Sequence, residues 1–227
     1  MALLELTDVR RTFGGIVALD TVSLSIERGV TTVVIGANGA GKTTLFNCIT
    51  GYHMPDRGSI RYDGEEISRV PDYEVARKGI RRTFQEVSVF DELTVAENIS
   101  LGSFQSRPRE LMELVELMDI RGKMGSSLTL FERKRVALAL AADGQLLLLD
   151  EVFSGLDPAE KPTMLEYLGV LAEERTLVFI EHDIETAFSL PEKVVVLSQG
   201  RVLSEVTPEE VKQNERVQEE YLWEVVL

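Results

Sequence analysis

A chain of 227 residues has room for one large domain and a substantial buried core. Its formal net charge of −14 argues against nucleic-acid binding, because no basic surplus exists to replace counterions, and against adsorption to anionic lipid. The single cysteine, Cys48, leaves no internal disulfide and no cysteine-rich zinc site, and reads as a small buried apolar residue.

No apolar run reaches membrane-spanning length, and the opening Met1 to Leu6 lacks the positive region and cleavage site of a secretory signal. The expected location is cytoplasmic, with no direct membrane insertion. In chain order, residues 3–9 and 17–27 alternate apolar and polar around a Phe13-Gly14-Gly15 turn, which predicts two strands. The apolar run Thr31 to Ile35 predicts a strand, and Thr44 to Ile49 a helix. Gly58 to Asp63 predicts a further strand closed by the Asp63-Gly64 turn, giving an antiparallel β layer around the strand 31–35. A short helix over 72–79 suits Gly79 as its stop. From 92 to 142 strand signals vanish, and residues 95–101, 110–118 and 133–142 show helical periodicity, as expected of an inserted helical subdomain. The α/β core returns with Leu146 to Leu149, a run suited to a central parallel strand. A helix over 159–172, a strand over 176–180, a helix over 183–189, a hairpin over 194–205 and an acidic helical tail complete the pattern.

Between the strand 31–35 and the helix that follows lies Gly36-Ala37-Asn38-Gly39-Ala40-Gly41-Lys42-Thr43, which fits the phosphate-binding loop at every fixed position. Glycines let successive backbone N–H groups converge on phosphate oxygens, and the helix N-terminus adds a favourable dipole. Lys42 is expected to neutralise the β- and γ-phosphates and the Thr43 hydroxyl to hold Mg²⁺. Downstream, Asp150 and Glu151 sit at the C-terminal end of the predicted strand 146–149. There Asp150 would hold the metal through water, and Glu151 would orient and polarise the attacking water. Gln85 stands at the junction of the core and the helical segment, where it would reach the metal or the water. His182 follows the strand 176–180 and would bond the γ-phosphate. Asp157, in Ser154-Gly155-Leu156-Asp157-Pro158, would accept bonds across a dimer interface, with Pro158 in the first turn of the next helix.

These elements, in this order, resemble the ATP-binding subunits of ABC transporters over essentially the full chain. The resemblance implies an α/β fold: a P-loop NTPase core (1–91 and 143–227) with an antiparallel β subdomain and an inserted helical signature subdomain (92–142). It implies ATP and Mg²⁺ as cofactors. The loop Gly36, Ala37, Asn38, Gly39, Ala40, Gly41, Lys42, Thr43 and Thr44 would hold nucleotide, Phe13 would stack on adenine, and Thr43, Gln85 and Asp150 would hold the metal. Hydrolysis would rest on Glu151, His182 and Gln85. Within the superfamily, Phe13 to Leu19, Thr43 to Gly51, Arg82 to Gln85 and Thr207 to Val211 most resemble the branched-chain amino acid importers; a related subgroup serves lipopolysaccharide export. Transmembrane permease subunits and a second ATPase subunit are implied as partners, a heterodimer more than a homodimer, which would hold the chain on the inner face of the membrane. A low-turnover ATP-dependent dimerisation switch is the alternative.

One stretch departs from the family. The signature Leu-Ser-Gly-Gly-Gln/Glu is here Leu128-Thr129-Leu130-Phe131-Glu132. Thr129, Glu132 and Asp157 would still face the nucleotide of a partner subunit. Leu130 and Phe131 replace glycines that let backbone amides approach phosphate closely, so impaired hydrolysis is expected. Side chains turned outward would instead leave those amides in use. Val152 also stands where the family has proline.

Overall fold

The computed structural model describes residues 1–83, 89–104, 107–181 and 188–211. Two long strands, β1 (Ala2–Phe13) and β2 (Ile16–Glu27), form the predicted hairpin and extend it. With β4 (Arg57–Tyr62) and β5 (Glu65–Glu66) they make a four-stranded antiparallel sheet in the order β2-β1-β4-β5. The second sheet has six strands in the order β10-β9-β3-β8-β7-β6. Its parallel members are β3 (Thr32–Ile35), β6 (Ile80–Arg82), β7 (Leu146–Asp150), β8 (Thr176–Ile180) and β9 (Lys193–Ser198); β10 (Arg201–Val206) closes the edge antiparallel to β9.

The parallel strands are apolar on both faces because both faces are covered. Val33, Ile35, Leu147, Leu149, Leu177, Phe179, Val194 and Val196 point into one core, shared with α3 (Val95–Gly102), α4 (Pro108–Leu114), α5 (Leu130–Ala141) and α6 (Lys161–Ala172). Their neighbours Val34, Leu146, Leu148, Val178, Ile180, Val195 and Leu197 point the other way. They meet the antiparallel sheet, α1 (Lys42–Ile49) and α2 (Asp72–Arg77). The period of two therefore makes three layers with a core on each side of the sheet. Cys48 is buried in the second core, and burial pushes its thiol up to about 11.

One sequence expectation needs correction. The helix after Asp157 begins at Lys161, so Pro162 rather than Pro158 occupies its first turn. The three residues of β6, too short to show a period, form an edge strand beside β7. The helix expected over 183–189 falls mostly outside the described residues, as does nearly all of the acidic tail. Among the described residues no helix is long and apolar enough to cross a membrane.

Candidate functional site

Because β3, β7 and β8 run parallel, their C-terminal ends open onto one edge of the sheet, the edge where ligands bind in open α/β folds. The end of β3 delivers the loop 36–43. Gly36 lies at φ 153° against β9, where a Cβ would come within 2.1 Å of the Leu197 carbonyl oxygen. Gly41 lies at φ 105°, where a Cβ would meet the Ala18 carbonyl oxygen at 2.5 Å. The loop is thus clasped by β2 on one side and by β9 on the other, and the Gly200 amide closes it by donating to the Ala40 carbonyl at 2.9 Å. The Lys42 ammonium, 7% exposed, bends back over the loop and donates to the carbonyls of Gly36 and Ala37, the latter at 2.9 Å. Among the described residues no side chain caps α1, so its first-turn amides keep the donors that a phosphate can take. Thr43 is exposed and Thr44 half-buried beside it.

Asp150 ends β7 and is 3% exposed. Its Oδ2 accepts from Arg82 Nη2 at 2.7 Å, and Arg82 reaches on to the Asn47 side chain of α1. The backbone N–H of Asp150 donates to the Thr83 hydroxyl at 3.0 Å. Its other carboxylate oxygen, Oδ1, is buried with no hydrogen-bond partner among the described residues. An orphaned anionic oxygen is costly unless something completes it. With the exposed Thr43 hydroxyl, it is a hard oxygen donor set of the kind Mg²⁺ takes.

Glu151 takes the next position with φ 49°, a left-handed conformation that is uncommon outside glycine. Its backbone is pinned from both sides. The N–H donates to the Ile180 carbonyl at 3.0 Å, while the carbonyl accepts from Ser154 N at 3.1 Å and from Lys134 Nζ at 2.9 Å. Glu181, just past β8 and 3% exposed, accepts from Phe153 N at 3.1 Å. Gln85 and His182 lie outside the described residues.

The altered signature builds a complete helix start. Thr129 caps α5 by accepting from Glu132 N at 3.2 Å, and Glu132 Oε2 accepts in return from Thr129 N at 2.8 Å. Leu130, 45% exposed, lies over Gly155, where a Cβ would be 2.9 Å from its Cδ2. Phe131 turns back onto the helical core, with the Arg135 guanidinium 5.6 Å from its ring centroid. The Glu132 carboxylate is engaged within the chain, bonding Lys123 Nζ at 2.8 and 2.6 Å. Burial raises its pKa, but the Lys123 and Thr129 bonds outweigh that and hold it below the usual range. Asp157 is exposed, its N–H donating to Glu160 at 3.0 Å. Phe13, 38% exposed at the end of β1, packs edge-to-face on His53 at 5.1 Å and carries Arg11 over its ring at 4.7 Å.

The structure therefore brings the loop, Asp150 and Glu151 to one sheet edge, and adds residues that the sequence reading passed over. Arg82 and Thr83 secure Asp150 from the edge strand β6, which is too short to be read from its pattern. Lys134 could have been found: it lies four residues before Leu138 and seven before Ala141, a charge on the apolar face of α5.

A family model described as ABC transporter matches residues 19–154. The chain is 34% identical over 250 residues to the high-affinity branched-chain amino acid transport ATP-binding protein BraF of Pseudomonas aeruginosa, covering 98% of each chain. It is 30% identical, with the same coverage, to the corresponding protein LivG of Escherichia coli. Among solved structures, the ADP conformation of an ATP-binding cassette of an ABC transporter superposes with TM-score 0.87 at 26% identity, over 98% of this chain and 99% of that one. A dimeric post-hydrolysis cassette bound to ADP and Pi superposes with TM-score 0.79 at 26% identity, over 90% and 98%.

Proposed function

Because the chain belongs to the ABC transporter family, we propose that its ATP site drives uptake of branched-chain amino acids, or a similar small polar solute, through separate permease subunits. The chain is an ATP-binding subunit that hydrolyses ATP to power transport. The observation that carries the assignment of the site is the convergence of three things on one sheet edge. These are the clasped loop with Lys42 folded over it, the orphaned Asp150 oxygen, and the pinned Glu151 backbone.

The geometry of the described residues and the sequence together support the following roles. Lys42 leaves the carbonyls of Gly36 and Ala37 for the β- and γ-phosphates, and the α1 amides take the remaining phosphate oxygens. Asp150 and the Thr43 hydroxyl would hold Mg²⁺, which when bound offsets the phosphate charge; Gln85 is assigned beside them from the sequence. Glu151 orients a water in line with the γ-phosphate and takes its proton as the new P–O bond forms and the bridging β–γ bond breaks. His182, from the sequence, bonds the γ-phosphate, and Phe13 stacks on the adenine.

The second half of the site comes from another ATPase subunit, a heterodimer being the arrangement we favour. Each signature helix then meets the partner's γ-phosphate with the Thr129 hydroxyl and the amides of Leu130 and Phe131. Two features support use of these amides despite the missing glycines: the Thr129–Glu132 cap consumes neither of them, and the Phe131 side chain turns onto the helical core. We assign 1–91 and 143–227 to the ATP-binding core and 92–142 to the helical signature subdomain. The permease would engage the cleft lined by Thr50, Tyr52, Tyr73 and Arg81.

Co-expression with permease genes and a periplasmic receptor tests this reading. ATP turnover that rises when leucine-loaded receptor is added supports it, and failure to copurify with any permease contradicts it.

A further inference from the structure

We propose that Lys134 is a positioning residue for hydrolysis, tying the signature helix to the backbone of the general base of its own subunit. The inference rests on the assignment of Glu151 as that base. Lys134 projects from the middle of α5, the helix whose N-terminus carries the signature, and is only 9% exposed. Its ammonium donates to the Glu151 carbonyl at 2.9 Å and lies in the field of the Glu181 and Glu151 carboxylates. Burial lowers its pKa, and those two charges oppose the shift, Glu181 the more strongly.

A buried ammonium is expensive unless it is bonded and balanced. The expense has a structural result at this position. Glu151 is held at φ 49°, so its peptide persists only while its surroundings over-determine it. Ile180 fixes its N–H, and Lys134 and Ser154 fix its carbonyl. Ile180 and Ser154 belong to the same sheet edge and turn as Glu151; Lys134 alone of the three comes from the helical layer. Glu181, which balances Lys134, also holds the Phe153 amide and directly precedes His182. One buried cation thus joins α5 to the ends of β7 and β8. When the N-terminus of α5 docks on the nucleotide of a partner subunit, any shift of the helix is carried by Lys134 to the peptide that aims Glu151. The partner's site and this chain's base are thereby mechanically linked.

The test is steady-state ATP hydrolysis by the permease-bound transporter. The variants are Lys134→Met, Lys134→Gln, Lys134→Arg, Glu151→Gln and the Lys134→Met/Glu151→Gln pair. Misaiming a base costs on the order of tenfold to hundredfold, so Lys134→Met and Lys134→Gln should lower kcat by about that much with the KM for ATP unchanged. Lys134→Arg, which keeps a buried cationic donor, should recover most of the loss. In the Glu151→Gln background Lys134→Met should cause no further loss, because the residue acts only through Glu151. Wild-type kcat in Lys134→Met or Lys134→Gln, with Glu151→Gln inactive, overturns this inference alone. So does an equal loss in all three Lys134 variants accompanied by weakened ATP binding. Retained hydrolysis in Glu151→Gln overturns the assignment of the base.

Discussion

Arg82 and Asp150 form an ion pair of 2.7 Å in which the two side chains are 5% and 2% exposed. The pair carries Asp150 from its strand toward α1, because the same guanidinium reaches Asn47. Breaking a buried pair leaves an uncompensated charge and typically costs about 3–5 kcal/mol. Arg82→Met should therefore lose about 3 kcal/mol of stability in denaturant unfolding, and added Mg²⁺ with ATP should restore part of it by supplying a cation to Asp150. A loss equal to that of an exposed arginine would contradict the buried pair.

The loop glycines separate into two kinds. At Gly36 a Cβ would collide with the Leu197 carbonyl, whereas at Gly39, with φ 80°, no atom of the described residues would lie within 4 Å of one. Gly36→Ala should abolish nucleotide binding by pushing the loop off β9. Gly39→Ala bears only left-handed strain of about 1 kcal/mol and should bind ATP within about tenfold of wild type. Calorimetric titration of both variants checks the contrast, and equal effects would contradict the clasp.

The signature variants report on stability and turnover separately. Phe131 fills part of the helical core, so Phe131→Gly should cost about 2 kcal/mol or more. Leu130 is 45% exposed, and Leu130→Gly should cost about 1 kcal/mol, mostly from helix propensity. On the proposal that the amides of Leu130 and Phe131 stay in use, neither glycine should raise kcat more than about threefold, which is less than 1 kcal/mol of barrier. A tenfold rise in Leu130→Gly would show that the side chain blocks the partner's phosphate.

Cys48 makes alkaline stability pH-dependent. Its thiol titrates near 11 in the fold, against about 8.5 in an unfolded chain. Between those values the folded protein holds the proton and the unfolded chain has lost it, so stability falls as pH rises through that window. Cys48→Ala should show a shallower decline from about pH 8.5 to pH 11 in thermal unfolding. In the native protein the buried thiol should react slowly with alkylating reagents at pH 8, and rapid labelling would contradict its burial.

Much of this molecule can be read along the chain because its strongest signals are local. The loop 36–43 is contiguous, the apolar run at 146–149 is a buried parallel strand, and the hairpin of β1 and β2 alternates visibly. What escapes such a reading is contact between distant positions. Arg82 meets Asp150 across 68 residues, and Lys134 meets Glu151 only because α5 folds over the end of β7. Asp143, in a connection that looks merely short, is fully buried, bonding Arg81 at 3.2 Å and the Phe104 amide at 2.7 Å. Where the Leu130 and Phe131 side chains pack, on Gly155 and on the helical core, is likewise set by distant contacts and not by residue type.

The proposed role of Glu151 is to activate water at a nucleotide held by the 36–43 loop. It is tested most directly by measuring ATP turnover and ATP affinity together in Glu151→Gln, assembled with its partner subunits. Unchanged affinity with kcat reduced by about 10²-fold or more is expected, the usual weight of a positioned general base. Turnover within about threefold of wild type, at the same affinity, would contradict it.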